Sequence, residues 1–313
     1  MYKVLLYTNK LHETDIYARL VQEVQLPIEL SVCRNEGDID ANIEDADVIF
    51  GVHLPSEVYK KASKLKWIQS MWAGVERLLA SPVAADVLIT KPWGVFGKYL
   101  SHYVFGNLLA QKIKAELART NQAAKKWTPY TIEILAGQIM GIAGMGDTAQ
   151  DIALAAKAFG MRVWGLNSDG REHPLADRMF AKSELEEFVS GVDVLVSTLP
   201  ASPSTYHIFD SSALNKLQSH AILINVGRGT VIHDDSLVRL LKDGSIGGAI
   251  LDVFHTEPLP AEHPYWTLPN CVVTPHVAGP SLPAEITDCF VQNFRRFERG
   301  ESLLGQINRP RGY

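Results

Sequence analysis

The 313 residues suffice for about two domains, and 46% hydrophobic against 21% charged residues excludes a disordered chain. A net charge of −5 with no run of Lys or Arg excludes a polyanion reader, so no nucleic-acid partner is expected. The three scattered cysteines match no metal spacing and suit a reducing compartment. No apolar run is long enough to span a bilayer, and no cleavable leader precedes the first strand-like run; a cytoplasmic protein with no metal and no membrane partner is expected.

Residues 1 to about 90 alternate strand and helix signals. Strands are expected at residues 4–8, 28–32, 47–51, 66–70 and 87–90. A helix is expected over 13–23 with Ile16, Leu20 and Val24 on one face, and a short one over 56–63 capped by Ser56. This is an α/β layer with no glycine fingerprint at its first turn. The loop Ser70-Met-Trp-Ala-Gly-Val75 follows a strand, so it lies at the carboxyl edge, where ligands bind in such folds. Ala73 and Gly74 are small enough to present bare N–H groups to an anion. An ordinary turn, with Trp72 packed in an interface, fits the same residues.

Residues 102–118 have few breakers and predict one long linking helix, followed by a polar loop at 123–130. The stretch Gly141-Ile-Ala-Gly-Met-Gly-Asp-Thr-Ala149 then joins an apolar strand to an Ala-rich helix. Gly144, Gly146 and Ala149 fit G-x-G-x-x-G/A at that turn. Gly144 allows the tight turn, Gly146 leaves room for a pyrophosphate, and Ala149 lets the helix sit close to the strand. Gly144, Met145, Gly146, Asp147 and Thr148 are therefore the expected phosphate cradle, at a helix N-terminus that favours anions. Further strands are expected at 162–166, 192–197, 221–226, 247–253 and 271–274, with helices at 183–190, 235–242 and 284–298.

Three polar residues follow three of these strands. They are Arg228 in Val226-Gly227-Arg-Gly229, Glu257 in Val253-Phe-His-Thr-Glu-Pro258, and His276 in Thr274-Pro-His-Val277. Parallel strands end on one edge of a sheet, so the three are expected to converge near the fingerprint turn. An Arg can grip a carboxylate by two parallel hydrogen bonds. A His can exchange a proton with a carbonyl or hydroxyl oxygen, and a Glu on its other nitrogen orients it and favours the protonated form. With a hydride carrier, this set describes reduction of a 2-oxo acid. Each residue alone also fits a plain loop charge or turn residue. His255 and His263 have no assigned partner and are left as surface or supporting residues. His233 fits a polar helix start, and 265–269 a loop packing its aromatics on the core.

The motifs Gly141-Ile-Ala-Gly-Met-Gly146, Leu199-Pro-Ala-Ser-Pro-Ser-Thr205, Ile224-Asn-Val-Gly-Arg-Gly229, Leu251-Asp-Val-Phe-His-Thr-Glu-Pro-Leu-Pro260, Val273-Thr-Pro-His-Val-Ala278 and the tail Gly305-Gln-Ile-Asn-Arg-Pro-Arg-Gly-Tyr313 resemble the D-isomer-specific 2-hydroxyacid dehydrogenases, in particular their glyoxylate/hydroxypyruvate reductase A branch. The resemblance implies an α/β fold of two doubly wound parallel-sheet domains, a Rossmann cofactor domain over 101–280 and a flavodoxin-like substrate domain over 1–100 with 281–313. It implies an active site in the cleft between domains and a homodimer joined through the cofactor domain. It also implies that Arg228 holds the carboxylate, that His276 paired with Glu257 is the proton donor, and that Trp72, Ala73 and Gly74 supply backbone donors. Asp252 would contact the nicotinamide amide; Leu199, Pro200 and Thr205 would line the adenine side, and Val226 and Gly227 would lie along the cofactor.

Two positions depart from the family pattern. Ser101-His102 stands where many members have Ala-Glu, and Asn167 stands where an acid usually follows the second strand. Asn167 cannot repel a 2′-phosphate, and Ser168 and Arg171 can bind one, which favours NADP over NAD; Asp169 argues the other way. The expected reaction is NAD(P)H-dependent reduction of glyoxylate or hydroxypyruvate. Phosphoglycerate, lactate or phosphite are alternative substrates, and a nucleotide-sensing corepressor is an alternative of another class.

Overall fold

The computed structural model describes residues 1–312. By internal contacts the chain divides into two compact units, one of Met1–Val95 with the segment from Ser281 onward, the other Phe96–Pro280.

The first unit is a five-stranded parallel sheet: β1 (Tyr2–Tyr7), β2 (Ile28–Cys33), β3 (Val48–Gly51), β4 (Trp67–Ser70) and β5 (Leu88–Thr90), in the order β2-β1-β3-β4-β5. Both faces are covered, so β3 and β4 are buried along their whole length, and the polar Gln69 of β4 is satisfied there by the Thr90 hydroxyl and the Asn293 amide. The C-terminal helix Pro283–Glu298 covers one face, with Phe290 stacked on Phe50 at 4.4 Å and on Trp67 at 5.5 Å. The first helix, Leu11–Glu23, buries Thr14, Tyr17, Ala18 and Val21, not the expected face of Ile16, Leu20 and Val24. These four stand at i, i+3, i+4 and i+7, and Tyr17 meets Phe50 edge-on at 5.7 Å; Ile16 is left 37% exposed. The aromatic contact outweighs the aliphatic pattern. Ser56 does not cap: Pro55 precedes the 3₁₀ turn Ser56–Lys61, and the Ser56 hydroxyl pairs with Ser81 instead.

The second unit holds seven parallel strands: β6 (Ile139–Ala143), β7 (Arg162–Asn167), β8 (Arg178–Ala181), β9 (Val194–Ser197), β10 (Ile222–Asn225), β11 (Gly248–Leu251) and β12 (Cys271–Val273). Their order is β12-β11-β10-β9-β6-β7-β8, so the direction of winding reverses between β6 and β9. Both sheets are doubly wound, as the fold class requires. Strand β8 was not anticipated; it is an edge strand with only Phe180 fully buried, too short to give a period. The linking helix over 102–118 is in fact two helices, Gly97–Lys112 and Ala115–Ala123. Lys114 between them adopts φ +55°, which ends the first helix before the apolar pattern does. Ser101 is buried where the first of these helices crosses Ala149–Ala158, and its hydroxyl donates to the Asp151 carbonyl at 3.2 Å; His102 is exposed. Among the described residues, no helix is long and apolar enough to cross a membrane.

Candidate active site

The sheet order of the second unit sets out the candidate residues along one edge. Going from β12 through β11, β10, β9 and β6 to β7, the loops leaving the carboxyl ends carry His276, then Asp252 and Glu257, Arg228, Leu199 to Thr205, the fingerprint, and Asn167 to Arg171. The winding reversal between β9 and β6 is where such sheets open a crevice.

At the fingerprint, Gly144 has φ +98°, a backbone conformation that a side chain resists, and a Cβ there would meet the Thr198 hydroxyl at 2.8 Å. A Cβ on Gly146 would meet nothing within 4 Å, so the space above it is open. The helix Ala149–Ala158 begins directly after the turn, with no side-chain cap on its first N–H groups. The N–H groups of Met145 and Thr148 find no protein acceptor among the described residues. Free donors, open space and a helix N-terminus fit a pyrophosphate.

The loop after β7 is closed by Asn167. Its side-chain oxygen accepts from the Asp169 and Gly170 N–H groups at 3.1 and 2.6 Å, and its amide donates to the Arg171 carbonyl at 2.9 Å. Asp169 turns its carboxylate onto the Arg171 N–H at 3.3 Å. The Ser168 hydroxyl and the Arg171 guanidinium are exposed and bond to no described residue. After β9, Leu199 and Thr205 are buried, and the Thr205 hydroxyl closes its own loop by donating to the Pro200 carbonyl at 2.6 Å.

The loop after β10 is pressed at the backbone against the loops after β11 and β9. A Cβ on Gly229 would lie 1.9 Å from the Phe254 carbonyl carbon, and one on Gly227 would lie 2.5 Å from the Leu199 carbonyl oxygen. Asn225, fully buried at the end of β10, accepts from the Gly227 N–H and donates to the Arg228 carbonyl at 3.2 and 3.0 Å. Arg228 Nη1 donates to the Gly227 carbonyl at 2.8 Å. Val226, which opens this loop, is buried. Glu257 Oε1 accepts from the Phe254 N–H at 2.9 Å, and its Oε2 meets His276 Nδ1 at 2.8 Å. The pair is open to solvent, with side-chain exposures of 51% for His276 and 37% for Glu257. Nε2 is therefore the ring nitrogen left for other work.

Asp252 is 1% exposed, and its carboxylate accepts from the Thr274 hydroxyl and from the Val277 and Ala278 N–H groups. Those bonds engage it inside the chain. His276 itself adopts φ +53°, and its N–H donates to the Asp252 carbonyl. Sequence reasoning did not find Asn225, Thr274 or Tyr103. A polar residue closing an apolar run was a usable signal for Asn225, after Ile222-Leu-Ile, and for Thr274, after Cys271-Val-Val; nothing local marks Tyr103. His263 caps the turn Pro264–Thr267, and His233 caps the helix Asp234–Lys242. His255 has ring neighbours, Tyr206 at 6.2 Å and His207 at 6.0 Å. Tyr265 packs in the core as expected, whereas Trp266 is exposed. Among the described residues, no group of three or more His, Cys, Asp or Glu is placed to hold a metal.

In the first unit, Ser70 Oγ accepts from the Trp72 N–H at 3.0 Å and donates to its carbonyl at 2.9 Å. The Trp72 donor is thus already engaged. The N–H groups of Ala73 and Gly74 take no acceptor among the described residues.

A Rossmann sheet with an open phosphate turn and polar strand-end loops on one edge defines a dinucleotide-binding protein. Residues 105–278 match the family model of the D-isomer specific 2-hydroxyacid dehydrogenase, NAD binding domain. The chain is 30% identical over 279 residues to glyoxylate/hydroxypyruvate reductase A of Escherichia fergusonii, covering 86% of this chain and 88% of that one. Among solved structures, a D-isomer specific 2-hydroxyacid dehydrogenase family protein from Aeromonas salmonicida superposes with a TM-score of 0.90 at 35% identity, over 98% of this chain and 99% of that one. The NADPH-dependent glyoxylate/hydroxypyruvate reductase of Sinorhizobium meliloti, solved with NADP and sulfate, gives 0.88 at 25% identity over 100% of both chains. The chain belongs to the D-isomer-specific 2-hydroxyacid dehydrogenase family and is an oxidoreductase with an NAD(P)-binding domain.

Proposed function

We propose that the protein reduces a small 2-oxo acid, glyoxylate or hydroxypyruvate, to the D-2-hydroxy acid, with NADPH preferred over NADH. The observation that carries the reading is the 2.8 Å pairing of His276 Nδ1 with Glu257, beside the Arg228 loop and on the edge that bears the phosphate turn. The reduced nicotinamide supplies the hydride. Arg228 holds the substrate carboxylate, and its planar fork fixes the direction of the oxo group. His276 delivers a proton from Nε2 to the carbonyl oxygen, while Glu257 keeps the ring in place and offsets the charge of its protonated form. Ala73 and Gly74 are the backbone donors that the first unit offers to an anion.

NADPH is favoured because Asn167 is spent in closing its loop, Asp169 bonds to the backbone, and Ser168 and Arg171 remain exposed. The Sinorhizobium meliloti reductase, NADPH-dependent and solved with NADP, points the same way. A homodimer through the second unit is part of the proposal, supported by apolar side chains exposed on one stretch of it: Ile113, Leu117, Trp127, Tyr130, Ile132 and Ile134. The test is NADPH oxidation followed across a panel of 2-oxo acids. Turnover fastest with glyoxylate or hydroxypyruvate supports the proposal, and activity confined to larger or phosphorylated substrates refutes it.

A further inference from the structure

Tyr103, on the helix Gly97–Lys112, has no part in the reaction just described, yet it is tied to the segment that carries His276. Its hydroxyl lies 2.6 Å from Thr274 Oγ1. Thr274 Oγ1 in turn lies 2.6 Å from Asp252 Oδ1, and a carboxylate only accepts, so the single threonine proton is committed there. Tyr103 must therefore donate to Thr274. Burial pushes the phenol up to about 12, so it stays a donor at any ordinary assay pH. The order of donation is fixed: Tyr103 to Thr274, Thr274 to Asp252.

Asp252 gathers the rest of the turn. Its carboxylate takes the N–H groups of Val277 and Ala278, both at 2.9 Å, and its carbonyl takes the His276 N–H at 2.9 Å. Asp252 thus holds the turn at residues 274, 276, 277 and 278, beside the Thr274 N–H on the Leu251 carbonyl at 3.0 Å and a second, 3.1 Å bond from the His276 N–H to the Thr274 carbonyl. His276 stands among them at φ +53°, a conformation that persists only where the surroundings impose it. We propose that Tyr103 is a positioning residue for His276, holding the turn through Thr274 and Asp252 so that Nε2 is presented at one place. This rests on the reading of His276 as the acid/base.

The experiment uses the full chain, with NADPH and glyoxylate, and compares Tyr103→Phe, Thr274→Val, Thr274→Ser, the double variant Tyr103→Phe/Thr274→Val, and His276→Ala as reference. Tyr103→Phe keeps the ring and loses only the hydroxyl. We expect it and Thr274→Val each to lower kcat about 10-fold, as sub-ångström misplacement of a reacting group does, with KM for NADPH unchanged. Thr274→Ser restores kcat, and the double variant falls no further than the slower single one, because both cut the same chain. Wild-type kcat in Tyr103→Phe beside an inactive His276→Ala overturns the positioning role and leaves the acid/base intact. So does a lowered Tm with kcat unchanged. An active His276→Ala overturns the acid/base reading itself. Should Tyr103→Phe fail to fold, the Val and Ser variants of Thr274 decide: equal kcat in the two overturns the proposal.

Discussion

Arg228 and His276 ask different things of their chemistry, and substitution separates them. Arg228→Lys keeps the charge but not the fork, so it should be damaging. Arg228→Ala should cost on the order of 2–5 kcal/mol of transition-state binding, much of it as raised KM. A kcat/KM near wild type in the Ala variant removes the carboxylate clamp from the account. His276→Ala should slow reduction by about 10²–10⁴-fold with cofactor affinity largely intact, as measured by fluorescence titration with NADPH. Glu257 acts through the ring it touches at 2.8 Å. Glu257→Gln keeps the side chain's shape but weakens the charge-assisted bond that orients the ring, so kcat should fall with cofactor affinity intact. A kcat equal to the wild type in the Gln variant uncouples the pair.

At the scale of elements, the loops after β10 and β11 meet with no room between them. Gly229→Ala would set a Cβ within 1.9–2.3 Å of Phe254 and His255 backbone atoms, with no flexible side chain to yield. We expect a loss of about 1–3 kcal/mol or more of stability and a Tm several degrees lower. An unchanged thermal midpoint means that the loops are free to part. The loop after β7 makes a separate prediction: Arg171→Ala should raise KM for NADPH far more than for NADH, and equal effects contradict the 2′-phosphate assignment. These loops also show what a sequence can carry. Strands buried on both faces, such as β9 and β10, are continuous apolar runs with polar stops, and each motif falls just after its stop. Where the outcome depended on a distant partner, the local pattern misled. The inner face of Leu11–Glu23 is set by Tyr17 against Phe50, and the break at Lys114 by a single backbone angle. The Tyr103–Thr274 bond joins residues 171 positions apart, which no local spacing encodes.

For the molecule as a whole, each unit has its own parallel sheet and core, and the first is completed by the segment from Ser281, which brings Phe290 onto Phe50 and Trp67. Trp127 is 96% exposed, an unusual state for indole in a lone protomer. Light scattering on a sizing column should give twice the chain mass, and a double variant Leu117→Glu/Trp127→Glu should give the monomer; a monomeric wild type contradicts the homodimer. The central claim is that Arg228, Glu257 and His276 serve one reaction, NADPH-dependent reduction of a small 2-oxo acid. Its most direct test is the loss of 340 nm absorbance with glyoxylate and hydroxypyruvate, for the wild type and His276→Ala side by side with NADPH and NADH. The account predicts turnover of one or both acids, faster with NADPH, and a fall of about 10²–10⁴-fold in the variant. A wild type that oxidises neither cofactor with these acids, or a His276→Ala variant as fast as the wild type, would contradict it.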